Sequence, residues 1–252
     1  MDIRVISDQQ LRDYDEKQIG SAFATLRCST AEAYEIQAAV SRLREQRGEA
    51  VVGYKAGCVS APLRESMGIH HPVLGRLFDT EQWPSGSHLH VSDFVQPAIE
   101  GELAVRLGQS ITRNNLSEKS LTAAIDEVFA VIEMHNKVFR AEPAAPELIA
   151  NNALHAGVVY AVTHSSGLPD VPGPLTVVVN DVEVACVAGL NLRDTVISSP
   201  HWLVQELDKQ GAQLCAGQTV LCGTIAGMYG VGAEDTVRVV TADFGSVCMR
   251  LT

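Results

Sequence analysis

The stretch IEGELAVRL, residues 99–107, alternates polar and apolar side chains as a β-strand does. Alternation puts Leu103 and Leu107 on a core face and Glu100 and Glu102 together on the opposite face. Two carboxylates at that spacing, about 6.7 Å, repel by about 2.5 kcal/mol at an effective dielectric near 20 and by about 0.6 kcal/mol in water. The pair therefore fits either a solvated strand edge or an enclosed site that contains a cation.

Composition describes an acidic globular chain. Its 252 residues are 46% hydrophobic, and 19 basic against 30 acidic residues give a net charge of −11. This charge opposes non-specific binding to nucleic acid and to anionic membranes, so we expect neither as a partner. The apolar runs are shorter than a membrane span, and MDIRVISDQQ at the start lacks a basic segment followed by an apolar one. We therefore expect a cytoplasmic protein, whose site must concentrate positive charge if its substrate is an acid.

Cysteine and histidine spacings do not match familiar zinc or disulfide patterns. The six cysteines contain no C-x-x-C pair, which favours buried free thiols. His88 and His90 in GSHLHV resemble the H-x-H start of cupin metal sites. In cupins a glutamate follows within a few residues, whereas here the next glutamate is Glu100. We therefore assign both histidines to a loop or strand surface.

Helices are predicted mainly near the start of the chain. The first is predicted over about residues 9–26, after Ser7 and Asp8. The second begins at Ser29, because Glu32 completes a capping box, and it ends at Gly48. Helices are also predicted to begin in SEKSLTAAIDEVFAV and at Ser199-Pro200, the latter continuing to about Lys209 before Gly211.

The remainder of the sequence is typical of a sheet. AVVGYKAGCVS, residues 50–60, is a short apolar strand that carries Lys55. LTVVVNDVEVACV is a hairpin with its turn at Asn180-Asp181, and DTVRVVTADFGSVCMRL is a second one with its turn at residues 243–246. Helices and strands are segregated along the chain, which indicates an α+β protein. We expect one catalytic unit, with an N-terminal helical layer over residues 1–49 and a β-rich region over residues 50–252.

A third acidic residue, Glu133, lies in the apolar setting AVIEMH. A buried carboxylate is costly unless it is paired or bound to a metal. Glu133 could form a salt bridge with Lys137, or it could join Glu100 and Glu102 around a hard cation such as Mg²⁺ or Mn²⁺. Lys55, between two glycines, could extend to the surface or could lie near the ion with a lowered pKa.

Six motifs, taken together, resemble the 2-keto-4-pentenoate hydratases of the fumarylacetoacetate hydrolase superfamily, which also contains 4-oxalocrotonate decarboxylases. They are GYKAGCVS, MGIHHPVLGRLFD, IEGELAVRL, VIEMHNKVF, WLVQELDKQGAQLCAGQTVLCGT and DFGSVCMRL. Their order and spacing match that family from about residue 8 to the end. The resemblance implies a mixed, largely antiparallel β-roll behind the helical layer.

The resemblance also implies a site. A divalent metal, Mg²⁺ or Mn²⁺, would be held by Glu100, Glu102 and Glu133, with Lys55 beside the substrate and Asp79 assisting proton transfer. Substrates of the family are 2-hydroxy-dienoates, or their 2-oxo tautomers, from aromatic-ring degradation. The metal stabilises the negative charge of an enolate, after which water adds to the resulting enone.

Two segments differ from the usual hydratase pattern. The positions of a DSR-like stretch read HNK, residues 135–137, and those of an ADN-A-S-S-like stretch read ANNALHAG, residues 150–157. We predict substrate contacts from Lys55 and Thr224, and from Asn152 and His155 within the second segment. The identity of the 2-oxo acid does not transfer through these changes.

The resemblance predicts a metal-dependent hydratase that acts on a small 2-oxo acid. Alternatives are decarboxylation of a 2-oxo-dienedioate, hydrolysis of an acylpyruvate, and a non-catalytic role as the partner of a related decarboxylase. The family also implies a homo-oligomer.

Overall fold

A computed structural model describes residues 1–23, 26–139, 144–162 and 165–252. Its helices are α1 (Ile3–Asp15), α2 (Thr30–Gln46), α3 (Ala61–Ser66), α4 (Glu118–Ala124), α5 (Ala145–Ala150) and α6 (Gly189–Lys209). Its strands are β1 (Val51–Gly57), β2 (Val73–Phe78), β3 (Gln82–Pro84), β4 (Ser87–Leu89), β5 (Ala98–Leu107), β6 (Ile125–His135), β7 (His155–Tyr160), β8 (Leu175–Val179), β9 (Val182–Val187), β10 (Thr219–Leu221), β11 (Met228–Gly230), β12 (Thr236–Thr241) and β13 (Ser246–Leu251).

The strands form two mixed sheets. The first has the order β2-β1-β10-β5-β6-β7-β3, with β11 also paired to β5, and the second has the order β4-β13-β12-β8-β9. Most pairs are antiparallel, while β1 with β10, β3 with β7 and β4 with β13 are parallel. Gly101 on β5 lies where the sheets meet, since a Cβ there would lie 2.5 Å from a methyl group of Val177 and 2.9 Å from one of Val239. The α+β class and the β-roll expected from the sequence are confirmed.

The first sheet curls until its edge strands approach each other. β2 lies at one edge and β3 at the other, yet β2 contacts β7, which is the neighbour of β3. A single 3₁₀ turn, Asp79–Glu81, joins β2 to β3. The inner face of this curl carries the even-numbered side chains of β5, including the Glu-x-Glu pair.

The second helix and both hairpins are confirmed. Ser29 caps α2 and Glu32 completes the capping box, while Gly48, with φ of 102°, follows its C-terminus. The β8–β9 hairpin turns at Asn180 and Asp181, with φ of 50° and 63°. The β12–β13 hairpin turns over residues 242–245.

Three predicted helix bounds are wrong. Helix α1 begins and ends earlier than predicted, because Asp2 caps it by accepting from the amides of Arg4 and Val5 and Lys17 takes a positive φ after its end. Within the predicted helical segment SEKSLTAAIDEVFAV, helix α4 already ends at Ala124, and strand β6 begins at the next residue. Helix α6 begins at Gly189, eleven residues before the predicted first residue Pro200, which lies in its interior. The hydroxyl of Ser199, predicted as a cap, instead donates to the carbonyl of Cys222.

The cysteines are free, but most of them are not buried as the sequence suggested. Cys222 is buried, whereas Cys186 and Cys248 are exposed on strands of the second sheet and the other three are partly exposed. Within the described ranges, none of the helices combines the length and the hydropathy that a membrane span requires. The division into a helical layer and one catalytic unit stays a prediction.

Candidate metal centre

The register of β5 and β6 brings the three predicted glutamates together. Glu100 pairs directly with Glu133 across the ladder, and Glu102 follows Glu100 on the same face. His135 follows Glu133 on that face and lies opposite Ala98. Glu102, Glu133 and His135 are each no more than 1% exposed, whereas Glu100 is partly exposed. We call Glu100, Glu102 and Glu133 the acidic centre.

Lys55 reaches the acidic centre from β1. Its Nζ lies 2.5 Å from Glu133 Oε1 and 3.3 Å from the carbonyl oxygen of Ala153. The lysine side chain crosses Gly75, where a Cβ would lie only 2.7 Å from Lys55 Cγ. Of the two interpretations of Lys55, the buried one is correct, and Lys55 rather than Lys137 is the cation paired with Glu133.

A turn of unusual backbone conformation completes the site. Asn152, Ala153 and Leu154 have φ of 54°, 51° and 64°, the left-handed region that non-glycine residues seldom occupy. The Asn152 side chain holds this turn to the edge of β2, accepting from the Arg76 amide at 2.7 Å and donating to the Arg76 carbonyl at 2.8 Å. The turn directs the Ala153 carbonyl toward Lys55 and places His155 Nδ1 2.6 Å from Glu133 Oε1.

The acidic centre shifts the pKa values of its own members. Burial, reinforced by the charge of Glu133, raises the pKa of Glu102 well above its usual value. Burial also acts to raise the pKa of Glu133, but the charges of Lys55 and His135 hold it well below its usual range. Burial acts to lower the pKa of Lys55, yet the charges of the three glutamates outweigh it and raise that pKa. The lowered pKa was expected for a lysine beside a bound ion, and that expectation stays a prediction.

Several buried polar atoms of the site have no hydrogen-bond partner among the described residues. They are Glu102 Oε1, Glu133 Oε2, His155 Nε2 and both ring nitrogens of His135. Buried polar atoms are nearly always paired in native proteins, so this concentration indicates a missing partner. One lysine also cannot balance three carboxylates. Oxygen-rich donors with an excess of negative charge fit a hard divalent cation.

The donor atoms that face one another come from Glu100, Glu133 and His135. One atom from each of them lies within 4.8 Å of the other two. Glu102, predicted as a ligand, is not a member of this group, and its Oε2 accepts a short hydrogen bond from the Gly223 amide. His135 was not predicted from the sequence, although E-x-H on a strand places both side chains on one face.

Two other predicted site residues have different surroundings. Thr224 lies in the segment that covers Glu102, but its hydroxyl donates to the Gly101 carbonyl at 2.9 Å and accepts from the Ala226 amide at 3.0 Å. Asp79 is exposed and accepts from the Ala50 amide at 2.9 Å. Since Gly75 pairs with Lys55, Asp79 lies four residues, about 13 Å, further along the chain. The expectation that Asp79 assists proton transfer at this centre is therefore not supported by the fold.

A cavity adjoins the centre on the side of the N-terminal helices. His155 lines it together with side chains of α1, α2 and the left-handed turn, including Gln10, Tyr14, Arg44 and Asn152. Arg44 is already paired with carboxylates, and most of the remaining lining is apolar or uncharged. His155 thus lies between the acidic centre and this cavity.

Comparison with known proteins identifies relatives of this chain by sequence. Residues 71–252 match the fumarylacetoacetate (FAA) hydrolase C-terminal family. The chain is 26% identical to a 2-hydroxyhexa-2,4-dienoate hydratase from Comamonas testosteroni over 231 residues, covering 88% of this chain and 86% of the relative. It is 28% identical to a 4-oxalocrotonate decarboxylase from Pseudomonas putida over 250 residues, covering 97% and 93%.

Solved structures show the same fold. A 4-oxalocrotonate decarboxylase from Pseudomonas putida G7, complexed with magnesium and adipate, superposes with a TM-score of 0.88 at 23% identity over 99% of this chain and 97% of that one. A fumarylpyruvate hydrolase from Pseudomonas aeruginosa, in complex with Mn²⁺ and pyruvate, gives a TM-score of 0.62 at 13% identity over 79% and 88%.

Proposed function

The chain belongs to the fumarylacetoacetate hydrolase family, and on that premise we propose that it is a divalent-metal-dependent lyase that adds water to a small 2-hydroxy-dienoate. The observation that carries the proposal is the acidic centre: three enclosed carboxylates, one lysine, and buried donor atoms without partners. The magnesium and Mn²⁺ complexes of two proteins with the same fold support the binding of a divalent metal.

The residues that would hold the ion are Glu100 and Glu133, with Glu102 beside them. When bound, a divalent ion supplies positive charge that stabilises an enolate of a 2-oxo acid. Lys55 contributes a fixed ammonium group, because Glu133 and the Ala153 carbonyl hold its Nζ in place. This group can orient a substrate carboxylate.

His155 is the residue best placed to move a proton. Its Nδ1 is oriented by Glu133, while Nε2 is buried without a partner among the described residues, in a side chain that lines the cavity. A histidine held by a carboxylate at one nitrogen presents the other as a general acid or base. We assign to His155, rather than to Asp79, the proton transfer that accompanies water addition.

A direct assay tests the proposal. Purified protein with Mg²⁺ or Mn²⁺ should bleach the dienol absorbance of 2-hydroxypenta-2,4-dienoate and produce 4-hydroxy-2-oxopentanoate, and His155→Gln should slow this at least about 100-fold. Asp79→Asn is the matched control and should keep most of the activity. An absence of turnover over a panel of such acids would contradict the proposal.

Decarboxylation of a 2-oxo-dienedioate is the second candidate. It is favoured by the match to 4-oxalocrotonate decarboxylase along 97% of this chain, a longer match than that to the dienoate hydratase. Both reactions would use the same enolate chemistry. Release of CO₂ from 2-oxohex-3-enedioate without addition of water would select the decarboxylase.

A further inference from the structure

His135 is buried beside two carboxylates of the acidic centre, yet its ring makes no aligned hydrogen bond with the described residues. The side chain is 1% exposed, and neither Nδ1 nor Nε2 has a hydrogen-bond partner among the described residues. A histidine that only fills the core normally has its ring nitrogens hydrogen-bonded. The contacts with Glu100 and Glu133 thus leave the donor and acceptor capacity of the ring unused, and an ion bound between these groups would use it.

The position of Nε2 identifies the kind of partner. Nε2 lies 3.2 Å from Glu100 Oε2 and 3.5 Å from Glu133 Oε2, without the alignment of a hydrogen bond to either oxygen. In an octahedral site with bonds of about 2.1 Å, adjacent donor atoms are about 3.0 Å apart. Both measured separations exceed this value by only a few tenths of an ångström. Nε2 therefore lies from each carboxylate oxygen at about the spacing of neighbouring ligands, and donor atoms of the three residues all lie within 4.8 Å of one another.

The backbone arrangement gives the imidazole this position. His135 shares the face of Glu133, and its partner across the ladder is Ala98, a small residue that leaves space for a ring. Glu102, in contrast, has Oε2 engaged by the Gly223 amide. His135, and not Glu102, is therefore the third residue that faces Glu100 and Glu133.

We propose that His135 is a ligand of the metal ion through Nε2, and that this nitrogen makes the site prefer Mn²⁺ to Mg²⁺. The inference rests on the metal site of the proposed function and adds a ligand to it. Imidazole is a good ligand for first-row transition ions, whereas Mg²⁺ is bound almost entirely through oxygen. A mixed set of two carboxylates and one imidazole therefore suits Mn²⁺.

Pulsed electron paramagnetic resonance on the Mn²⁺-loaded full-length protein tests the ligand directly. The wild-type spectrum should show coupling of the ion to a ¹⁴N nucleus, and this coupling should disappear in His135→Gln. His155→Gln is the matched control, because His155 also touches Glu133 but is not among the facing donors. Its spectrum should retain the coupling.

Calorimetric titration of the apo-protein with each metal alone tests the preference. In His135→Gln the affinity for Mn²⁺ should fall at least about tenfold while the affinity for Mg²⁺ changes much less. If neither metal binds wild-type protein, the metal site of the proposed function is wrong. If both bind but no ¹⁴N coupling is seen, or His155→Gln alone removes it, only the role of His135 is wrong. Should His135→Gln not fold, the wild-type and His155→Gln spectra still decide between these outcomes.

Discussion

Arg44 and Lys55 are both buried cations that face glutamates, but they belong to clusters with different charge balances. Arg44 bonds Glu49 and Glu81, and its guanidinium lies 3.6 Å from the centroid of the Phe78 ring. Arg47 also bonds Glu49 and reaches Asp15 at the surface. We call Arg44, Arg47, Glu49, Glu81 and Asp15 the arginine cluster. It supplies two cations for three acids, whereas Lys55 is a single cation for the three glutamates of the acidic centre.

One glutamate of each cluster shows the contrast, because the pKa values of Glu49 and Glu102 are shifted in opposite directions. Burial acts to raise the pKa of Glu49, but hydrogen bonds from Arg44, Arg47 and Thr80 outweigh it and lower that pKa. In the acidic centre, burial and a neighbouring carboxylate raise the pKa of Glu102. The arginine cluster balances most of its acidic charge with its own guanidinium groups and so stabilises the fold, whereas the acidic centre has one lysine for three carboxylates and is suited to bind a further cation.

Removal of Arg44 should have the largest effect on stability. Arg44→Met leaves Glu49 and Glu81 buried without their guanidinium, and breaking such a pair costs about 3–5 kcal/mol. Arg47→Met is the matched control, since its side chain is 38% exposed and exposed pairs contribute only about 0–1 kcal/mol. Urea unfolding followed by circular dichroism gives both free energies. Equal losses in the two variants would contradict the structural role assigned to the buried arginine.

Binding of Mn²⁺ should stabilise the protein through the acidic centre alone. At about 100 times its dissociation constant the ion adds about 2.7 kcal/mol, a rise in Tm of about 5–10 °C for a chain of this size. Glu100→Gln should lose most of this rise, because Glu100 is a facing donor and is exposed enough for the substitution to be tolerated.

The control for this experiment comes from the other cluster. Arg47→Met should keep the full rise in Tm with Mn²⁺, although its starting Tm is slightly lower. Differential scanning calorimetry with and without the ion measures both quantities. A rise that is unchanged in Glu100→Gln would place the ion elsewhere in the protein.

Much of the acidic centre could be predicted because it follows strand periodicity. Glu-x-Glu within IEGELAVRL and a lone glutamate in AVIEMH place their carboxylates on defined faces from the sequence alone. The register that sets Glu100 opposite Glu133 could not be predicted, since it depends on which strands pair and with what offset. The same holds for Lys55, which reaches Glu133 only because the first sheet curls.

The arginine cluster and the long helix α6 were not predictable by local rules. Arg44 continues the buried stripe of α2 at helical spacing from Ala33 and Gln37, but its charge indicates a solvent-facing residue. Its partner Glu49 lies five residues further on, beyond the end of the helix, and Glu81 comes from a distant segment, so helical spacing reveals neither of them. Helix α6 extends before Pro200 because Leu192 and Val196 are buried, and this packing outweighs the helix-breaking tendency of proline.

The smallest expected effect is a pH dependence that belongs to the arginine cluster. The pKa of Glu49 is lower in the folded protein than in the unfolded chain, so its contribution to stability is present above the unfolded value, about 4.3, and is lost as pH falls through the folded pKa. We expect wild-type protein to lose unfolding free energy between about pH 5 and pH 3. In Glu49→Gln this loss should be smaller, by less than about 1 kcal/mol. Glu45→Gln, which changes an exposed glutamate near the end of α2, serves as the control and should leave that slope unchanged. Urea unfolding at each pH gives the slope of the unfolding free energy against pH. Identical slopes for Glu49→Gln and wild type would show that the two arginines do not hold this carboxylate in its charged form.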